Sequence, residues 1–366
     1  MFASRCFAVL AAVWLCAGCA GPSTTLPDLP EDEVKAERAR QQVAEIKDYF
    51  AARARLDNVA FHIKAANARY CDTQAAQLGM NVATVRSLPR KFRSFSAEAL
   101  PISWDQPAVI SVADGSPTAD AGIKVGDTLL TVGNEVVPAK DPNGWIARWL
   151  QQHSGPIIVM IRRAGKDEQH TLAPVMGCAI PVVLASDPTP NAFTDYRKIV
   201  VQSGILRLTK SDADLAVILG HELAHVTMGH YGKKLQNALL GGLSGATIDV
   251  TLGTSGIYTN GAFSKHLELA GARAFSVEFE READYVGAYY AARAGYDIAG
   301  AENIWRALAL ESPDAIRLGK THPTTPVRFV QMQKVIAEIA DKKRRHLPLE
   351  PELKQIATAP PAPDAY

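Results

Sequence analysis

Leu215-Ala216-Val217-Ile218-Leu219-Gly220-His221-Glu222-Leu223-Ala224-His225 is an apolar run that ends in two histidines four residues apart, with a glutamate directly after the first. Leucine, alanine and valine at this density, with Ser211 and Asp212 upstream as candidate N-caps, predict a buried helix. On a helix, residues i and i+4 share a face, so the imidazoles of His221 and His225 can converge on one ion. Glu222, one position along, can reach a water beside that ion and take its proton. The competing reading is a pair of satisfied core histidines. It must also account for a glutamate inside an otherwise apolar helix, where an unpaired carboxylate is costly to bury.

Two histidines leave a tetrahedral zinc short of a protein ligand, so a third is expected downstream. The helix predicted from about Leu267 to Ala294 carries Ser276-Val277-Glu278-Phe279-Glu280-Arg281-Glu282-Ala283-Asp284. Here the chain resembles the HtpX/BepA-type zinc metallopeptidases, relatives of the CAAX prenyl proteases, whose pattern is HExxH followed by ExxxD. The resemblance makes Glu280 the third ligand and Asp284 its partner carboxylate, with Glu278 and Glu282 as rivals. Glu280, Asp284, Gly287 and Ala288 fall on one face, where the small residues allow close approach to the HExxH helix. Glu278 and Glu282 point elsewhere and read as a solvated face. Asp284 is expected to orient a ligand histidine.

The same resemblance extends to Asn191-Ala192-Phe193 and Ile199 to Leu206, which look like the family's edge strand and turn before the HExxH helix and imply a place for substrate backbone. Thr321-His322-Pro323 and Arg328 match its T-H-P segment and following arginine. His322 is then expected near the zinc, either stabilising an oxyanion or capping the metal as a reversible fourth ligand. His230, five residues past His225, is expected to be structural or to support a ligand. His62, His153, His170, His266 and His346 read as surface or packing residues.

Between about Phe92 and Cys178 short β-like runs alternate with turns, at Ala108 to Val112, Thr128 to Val132, Ile157 to Arg163 and Gln169 to Ala173, with Ala164-Gly165-Lys166 as a hairpin turn. Ser116-Pro117-Thr118-Ala119-Asp120-Ala121-Gly122-Ile123-Lys124-Val125-Gly126-Asp127 resembles the signature of bacterial PDZ domains, which implies binding of an extended peptide or a protein C-terminus. The carboxylate loop of those domains is not legible between Ser94 and Val112. Residues 236–263 hold six glycines and a single ionised residue, Asp249, and are expected to form a mobile, partly buried segment near the active site rather than a membrane span.

Arg5, the apolar stretch Phe7 to Ala17 and the small residues ending at Cys19 read as an export signal. Leu15-Cys16-Ala17-Gly18-Cys19 resembles a bacterial lipobox, which implies lipidation at Cys19; simple cleavage after Ala20 is the alternative. Cys71 and Cys178 then remain, and an oxidising compartment favours a disulfide between them over two separate buried thiols. With 39 basic and 38 acidic residues the formal net charge is +1, which supplies no electrostatic footprint for nucleic acid.

The expected fold class is α+β: a mainly helical zincin-type peptidase domain with a small edge sheet, plus a β-rich PDZ-like domain. The expected segments are a signal peptide with lipobox (1–19), a tether (20–30), a helical region (31–91), the PDZ-like domain (92–178), the peptidase domain (179–346) and a disordered tail (347–366). The function expected is a zinc metalloendopeptidase of envelope protein quality control, acting on polypeptide substrates at the periplasmic face of the outer membrane. One zinc is held by His221, His225 and Glu280, with Glu222, His322, Asp284 and Arg328 as catalytic residues. The alternative is a chaperone-like or binding lipoprotein whose zinc is structural or capped.

Overall fold

The computed structural model describes residues 23–100, 102, 104–195, 197–255, 257–273, 276–311 and 326–354. The expected export signal with Cys19, the Thr321-His322-Pro323 segment and most of the expected tail lie outside the described residues.

The first long element, α1 (Glu31–Ala66), runs past both halves of the molecule. Its sequence lacks glycine and proline and is rich in alanine, glutamate and arginine, which suits a helix exposed for its first turns. Farther on, Ile46 and Phe50 pack with Phe92, Trp104 and Ile110, while Leu56, Val59 and Ile63 enter the core of the helical half. The helical region expected up to residue 91 therefore ends at Ala66. It is followed by two strands, β1 (Gln74–Gln77) and β2 (Met80–Ala83). These four-residue strands show no legible alternation, and it is partner strands that decide them: β2 pairs with β3, and β1 pairs with β8.

The β-rich unit is a six-stranded sheet in the order β2-β3-β4-β6-β7, with β5 (Glu135–Val136) on β4, so it recruits residues before 92. Its other strands are β3 (Ala108–Val112), β4 (Thr128–Val132), β6 (Ile157–Arg163) and β7 (Lys166–Leu172). Along β6 the residues Ile157, Val159 and Ile161 point inward, against Ile146 and Leu150 of helix α2 (Pro142–Gln152). The β6–β7 hairpin turns at Ala164 and Gly165, both at positive φ as a two-residue turn of this hand requires. β8 (Val175–Cys178) leads out of the unit, and a disulfide joins its Cys178 to Cys71.

In the helical half, β10 (Ala192–Thr194), β11 (Ile199–Gln202) and β9 (Val182–Ala185) form a three-stranded sheet with β11 in the middle. A short helix, α3 (Ser203–Leu208), follows, and then α4 (Asp212–Thr227), the buried helix of the HExxH run. Of the two candidate caps, Ser211 serves: its hydroxyl accepts from the Asp214 amide, and the Asp214 carboxylate accepts from the Ser211 amide. Asp212 instead accepts from Arg55 of α1 at 2.7 Å, while Arg55 also donates to the carbonyls of Leu206 and Thr209. One buried-side arginine thus ties α1 to the start of the helix that carries the histidines.

The glycine-rich stretch folds as a hairpin of two helices, α5 (His230–Thr254) and α6 (Ala262–Arg273), and most of it is exposed rather than partly buried. A Cβ on Gly241 would lie 2.1 Å from the Leu267 carbonyl oxygen, and one on Gly245 would lie 2.3 Å from that of Phe263. The glycines serve close helix-to-helix approach, and the leucines 235, 239 and 243 remain on the surface. Over the helix expected from Leu267 to Ala294, the described residues give α6 up to Arg273 and α7 over Ser276–Arg293. Two more helices of this half among the described residues are α8 (Glu302–Glu311) and α9 (Pro326–Arg344). Among the described residues no helix is long and apolar enough to cross a membrane.

Candidate metal centre

α4 and α7 pack side by side because glycine stands on both at the point of contact. A Cβ on Gly220 would meet the Gly287 carbonyl oxygen at 2.4 Å, and a Cβ on Gly287 would meet the His221 amide nitrogen at 2.5 Å. That approach sets the two motifs face to face. His221 and His225 of α4 and Glu280 of α7 are all buried and offer one ligand atom each within 4.8 Å of one another.

The separations fit a single small ion. Nε2 of His221 lies 3.1 Å from Nε2 of His225, and each is 3.4 Å from a carboxylate oxygen of Glu280. Zinc ligands at about 2.0–2.1 Å in a tetrahedron stand roughly 3.3–3.4 Å apart, so this set of two imidazoles and a carboxylate matches zinc in both donor type and span. Among the described residues three groups converge, the number of protein ligands that a catalytic zinc site uses. Glu222, next to the first ligand, is 2% exposed.

The surrounding groups aim the ligands. Nδ1 of His221 lies 2.9 Å from Oδ1 of Asp284, which leaves Nε2 as the coordinating atom. Asp284 is gripped in turn by Arg328 of α9, whose Nε donates to Oδ2 and whose second terminal nitrogen donates to Oδ1, both at 2.7 Å. The same guanidinium stands 3.4 Å from Glu280 and lies over the ring of Trp305, 4.6 Å from its centroid. Burial works to lower the pKa of His221, but the hydrogen bonds and charges of Asp284 and Glu280 outweigh it and hold the imidazole up to about 9. Burial also works to raise the Asp284 carboxyl, and Arg328 and His221 together more than offset it, leaving that pKa below its ordinary value. Glu222, Glu280 and Asp284 thus bring three carboxyl groups together around one arginine, a set that attracts a cation.

Of the residues picked from the sequence, His221, Glu222, His225, Glu280, Asp284 and Arg328 are brought into one buried cluster. His322 lies outside the described residues. Glu278 is exposed, as expected, but Glu282 is half-buried, and its Oε2 stands 2.7 Å from Nε2 of His230. A helical wheel drawn for α7 and α4 alone cannot see this contact, because His230 belongs to a third helix. One further residue was missed. Trp305 on α8 packs its ring 5.3 Å from that of His221 and under Arg328, and a lone tryptophan in an amphipathic helix carries no signal for such a role. His230, expected to be structural or to support a ligand, has its Nδ1 2.8 Å from Nδ1 of His225. Burial lowers the pKa of His230 from the ordinary value, against the opposing pull of Glu282.

Comparison with known proteins adds to this geometry. Residues 173–336 match the family model described as Peptidase family M48. The mitochondrial metalloendopeptidase OMA1 of Schizosaccharomyces pombe is 30% identical over 162 residues, covering 43% of this chain and 47% of that protein. OMA1 of Arabidopsis thaliana is 32% identical over 152 residues, covering 40% of this chain and 30% of that protein. The beta-barrel assembly-enhancing protease of Yersinia pestis is 27% identical over 144 residues, covering 35% of this chain and 28% of that protein. The chain thus spans about half, or less, of the length of these curated relatives. Among solved structures, the HtrA3 PDZ domain bound to a phage-derived ligand shares 22% identity, over 28% of this chain and 88% of that one, with a TM-score of 0.23. The stretch that carries His221, His225, Glu280, Asp284 and Arg328 is therefore similar to the metallopeptidases of family M48.

Proposed function

We propose that the chain is a zinc-dependent metalloendopeptidase that cleaves polypeptides at a bacterial cell envelope, where it serves protein quality control from a lipid anchor at Cys19. The observation that carries the catalytic part is the convergence of two imidazole Nε2 atoms and one carboxylate at 3.1–3.4 Å, with Glu222 adjoining in the same buried helix. The similarity to M48 peptidases over residues 173–336, and to relatives named as metalloendopeptidases, supports it. The envelope location rests on the lipobox-like sequence ending at Cys19 and on the Cys71–Cys178 disulfide, which suits an oxidising compartment. The six-stranded unit is read as a PDZ-type peptide-binding module on the strength of its Ser116 to Asp127 sequence.

His221, His225 and Glu280 hold the metal. When bound, zinc polarises the scissile carbonyl and lowers the pKa of the attacking water. Glu222 accepts the proton that this water loses and passes it to the leaving amine, so one carboxylate acts first as base and then as acid. Asp284 fixes the ring of His221, and Arg328 helps to hold the Asp284 carboxyl below its ordinary pKa and stands beside Glu280. The edge strand β10 packs beside α4, and among the described residues its outer side pairs with no other strand. An extended substrate can lie along it and present its backbone to the site.

The test is zinc content together with casein hydrolysis for the wild type and for Glu222→Gln. Glutamine keeps the shape of the site but cannot accept the proton, so zinc is retained and hydrolysis is lost. Hydrolysis at the wild-type rate in that variant would overturn the assignment. A wild type that holds zinc and cleaves nothing would favour the binding or chaperone-like alternative.

A further inference from the structure

His225 is backed by a ring that plays no part in the catalytic steps above. From His225 Nδ1 the contact runs to His230 Nδ1 at 2.8 Å, and from His230 Nε2 to Glu282 Oε2 at 2.7 Å. His230 is 1% exposed and stacks on Phe279 with ring centroids 4.7 Å apart, whereas the Glu282 side chain is 42% exposed.

The proton positions along this line follow from donor and acceptor chemistry. An ionised carboxylate only accepts, so Nε2 of His230 must carry a proton. A neutral His230 protonated there has a bare Nδ1 that can only accept, so Nδ1 of His225 must donate across the 2.8 Å gap. A neutral His225 protonated at Nδ1 keeps its lone pair on Nε2. That atom is the one that converges with His221 and Glu280. In the opposite tautomer the Nε2–H of His225 would donate to Nε2 of His221, 3.1 Å away, and the site would close on a hydrogen bond instead of an ion.

We infer that Glu282 and His230 form a positioning arm that selects the metal-binding tautomer of His225, so that a carboxylate at the surface sets a lone pair inside the site. The inference rests on reading the His221, His225 and Glu280 cluster as a zinc centre. His230 is also the first residue of α5, so the same bond ties the base of the exposed α5–α6 hairpin to a metal ligand. The two ligand histidines are therefore oriented by different means: Asp284 acts on His221 directly, and Glu282 acts on His225 through a second imidazole.

The experiment measures zinc affinity of the full chain by competition with a chromophoric chelator, and the absorption spectrum after cobalt substitution. Glu282→Ala is expected to weaken zinc binding about 10–100-fold, the usual cost of losing a group that orients a ligand, and to alter the cobalt spectrum. Glu282→Gln, whose amide oxygen accepts the same bond, is expected to stay close to wild type, as is Glu278→Ala on the exposed side of α7. A merely structural role would lower thermal stability without separating the alanine from the glutamine variant in metal affinity. Should Glu282→Ala fail to fold, His230→Phe keeps the stack on Phe279, removes both nitrogens and is expected to weaken zinc to the same degree. Wild-type affinity and an unchanged cobalt spectrum in Glu282→Ala, or in His230→Phe, overturn the arm; a glutamine variant as weak as the alanine one overturns the tautomer argument. If the wild type itself takes up no zinc, the metallopeptidase reading falls with it; if the wild type binds zinc and hydrolyses casein while Glu282→Ala matches it, the arm alone falls.

Discussion

Gly287 of α7 sits with its backbone directly against His221 of α4, so close that a methyl group on it would stand 2.5 Å from the His221 amide nitrogen. The neighbouring contact is reciprocal, since a methyl on Gly220 would stand 2.4 Å from the Gly287 carbonyl oxygen. These distances are to backbone, which cannot swing aside as a side chain could. The spacing of the two helices, and with it the reach of Glu280 and Asp284 to the histidines, depends on both residues having no side chain.

Gly287→Ala is therefore expected to force the helices apart. Overpacking of this kind costs about 1–3 kcal/mol, and here it also moves Glu280 and Asp284 away from α4. Thermal unfolding and zinc affinity should both fall. Gly232→Ala, a helical glycine with nothing within 4 Å of the added methyl, is the control and should be neutral or slightly stabilising. Unaltered zinc affinity in Gly287→Ala would show that the helix spacing does not set the ligand geometry.

Arg328 is 1% exposed and stands between two buried carboxylates, donating twice to Asp284 and lying 3.4 Å from Glu280. Arg328→Met removes a cation that contacts both, and breaking a buried charge network by deleting one partner typically costs about 3–5 kcal/mol. The expected result is marked destabilisation of the metal-free protein in thermal unfolding. Arg328→Lys should recover only part of the loss, because an ammonium cannot reproduce the two-pronged grip on Asp284. A methionine variant as stable as the wild type would mean that Arg328 does not hold this cluster together.

Cys71 and Cys178 close a loop of 107 residues that spans the whole six-stranded unit and leads into the helical half. By chain entropy, a cross-link of that length is worth about 5 kcal/mol at most. Reduction, or Cys71→Ser together with Cys178→Ser, should lower the denaturation midpoint with little change in zinc affinity, since neither cysteine touches the metal cluster. Mass spectrometry of the non-reduced protein should find one disulfide. Two free thiols would contradict it.

What short-range chemistry governs was legible in the chain. The four-residue spacing of His221 and His225 on an apolar run, the capping chemistry before it, the Ala164-Gly165 turn and the small residues following Asp284 on one face all act within a few residues of themselves. Glu280 needed more, because three glutamates alternate along one turn and a half of helix, and only resemblance to a known motif and the face shared with Gly287 ranked them. Strands β1 and β2 were read as helix, because four residues without alternation are committed by their partners and not by their own pattern.

The sequence by itself determined a buried helix bearing two histidines and a glutamate, a β-rich unit beside it, and the small residues that let two helices touch. Only the tertiary structure decided how these meet. Arg55 anchors the HExxH helix from more than 150 residues away, Trp305 supports Arg328 from a helix with no motif, and Glu282 reaches His225 through His230. The physical reason is that hydrogen bonds and ring contacts depend on distance in space. Glu282 is about half a helical turn round from Glu280 and faces away from the His221 and His225 rings on its own helix. It becomes part of the site because a third helix begins with a histidine at that point.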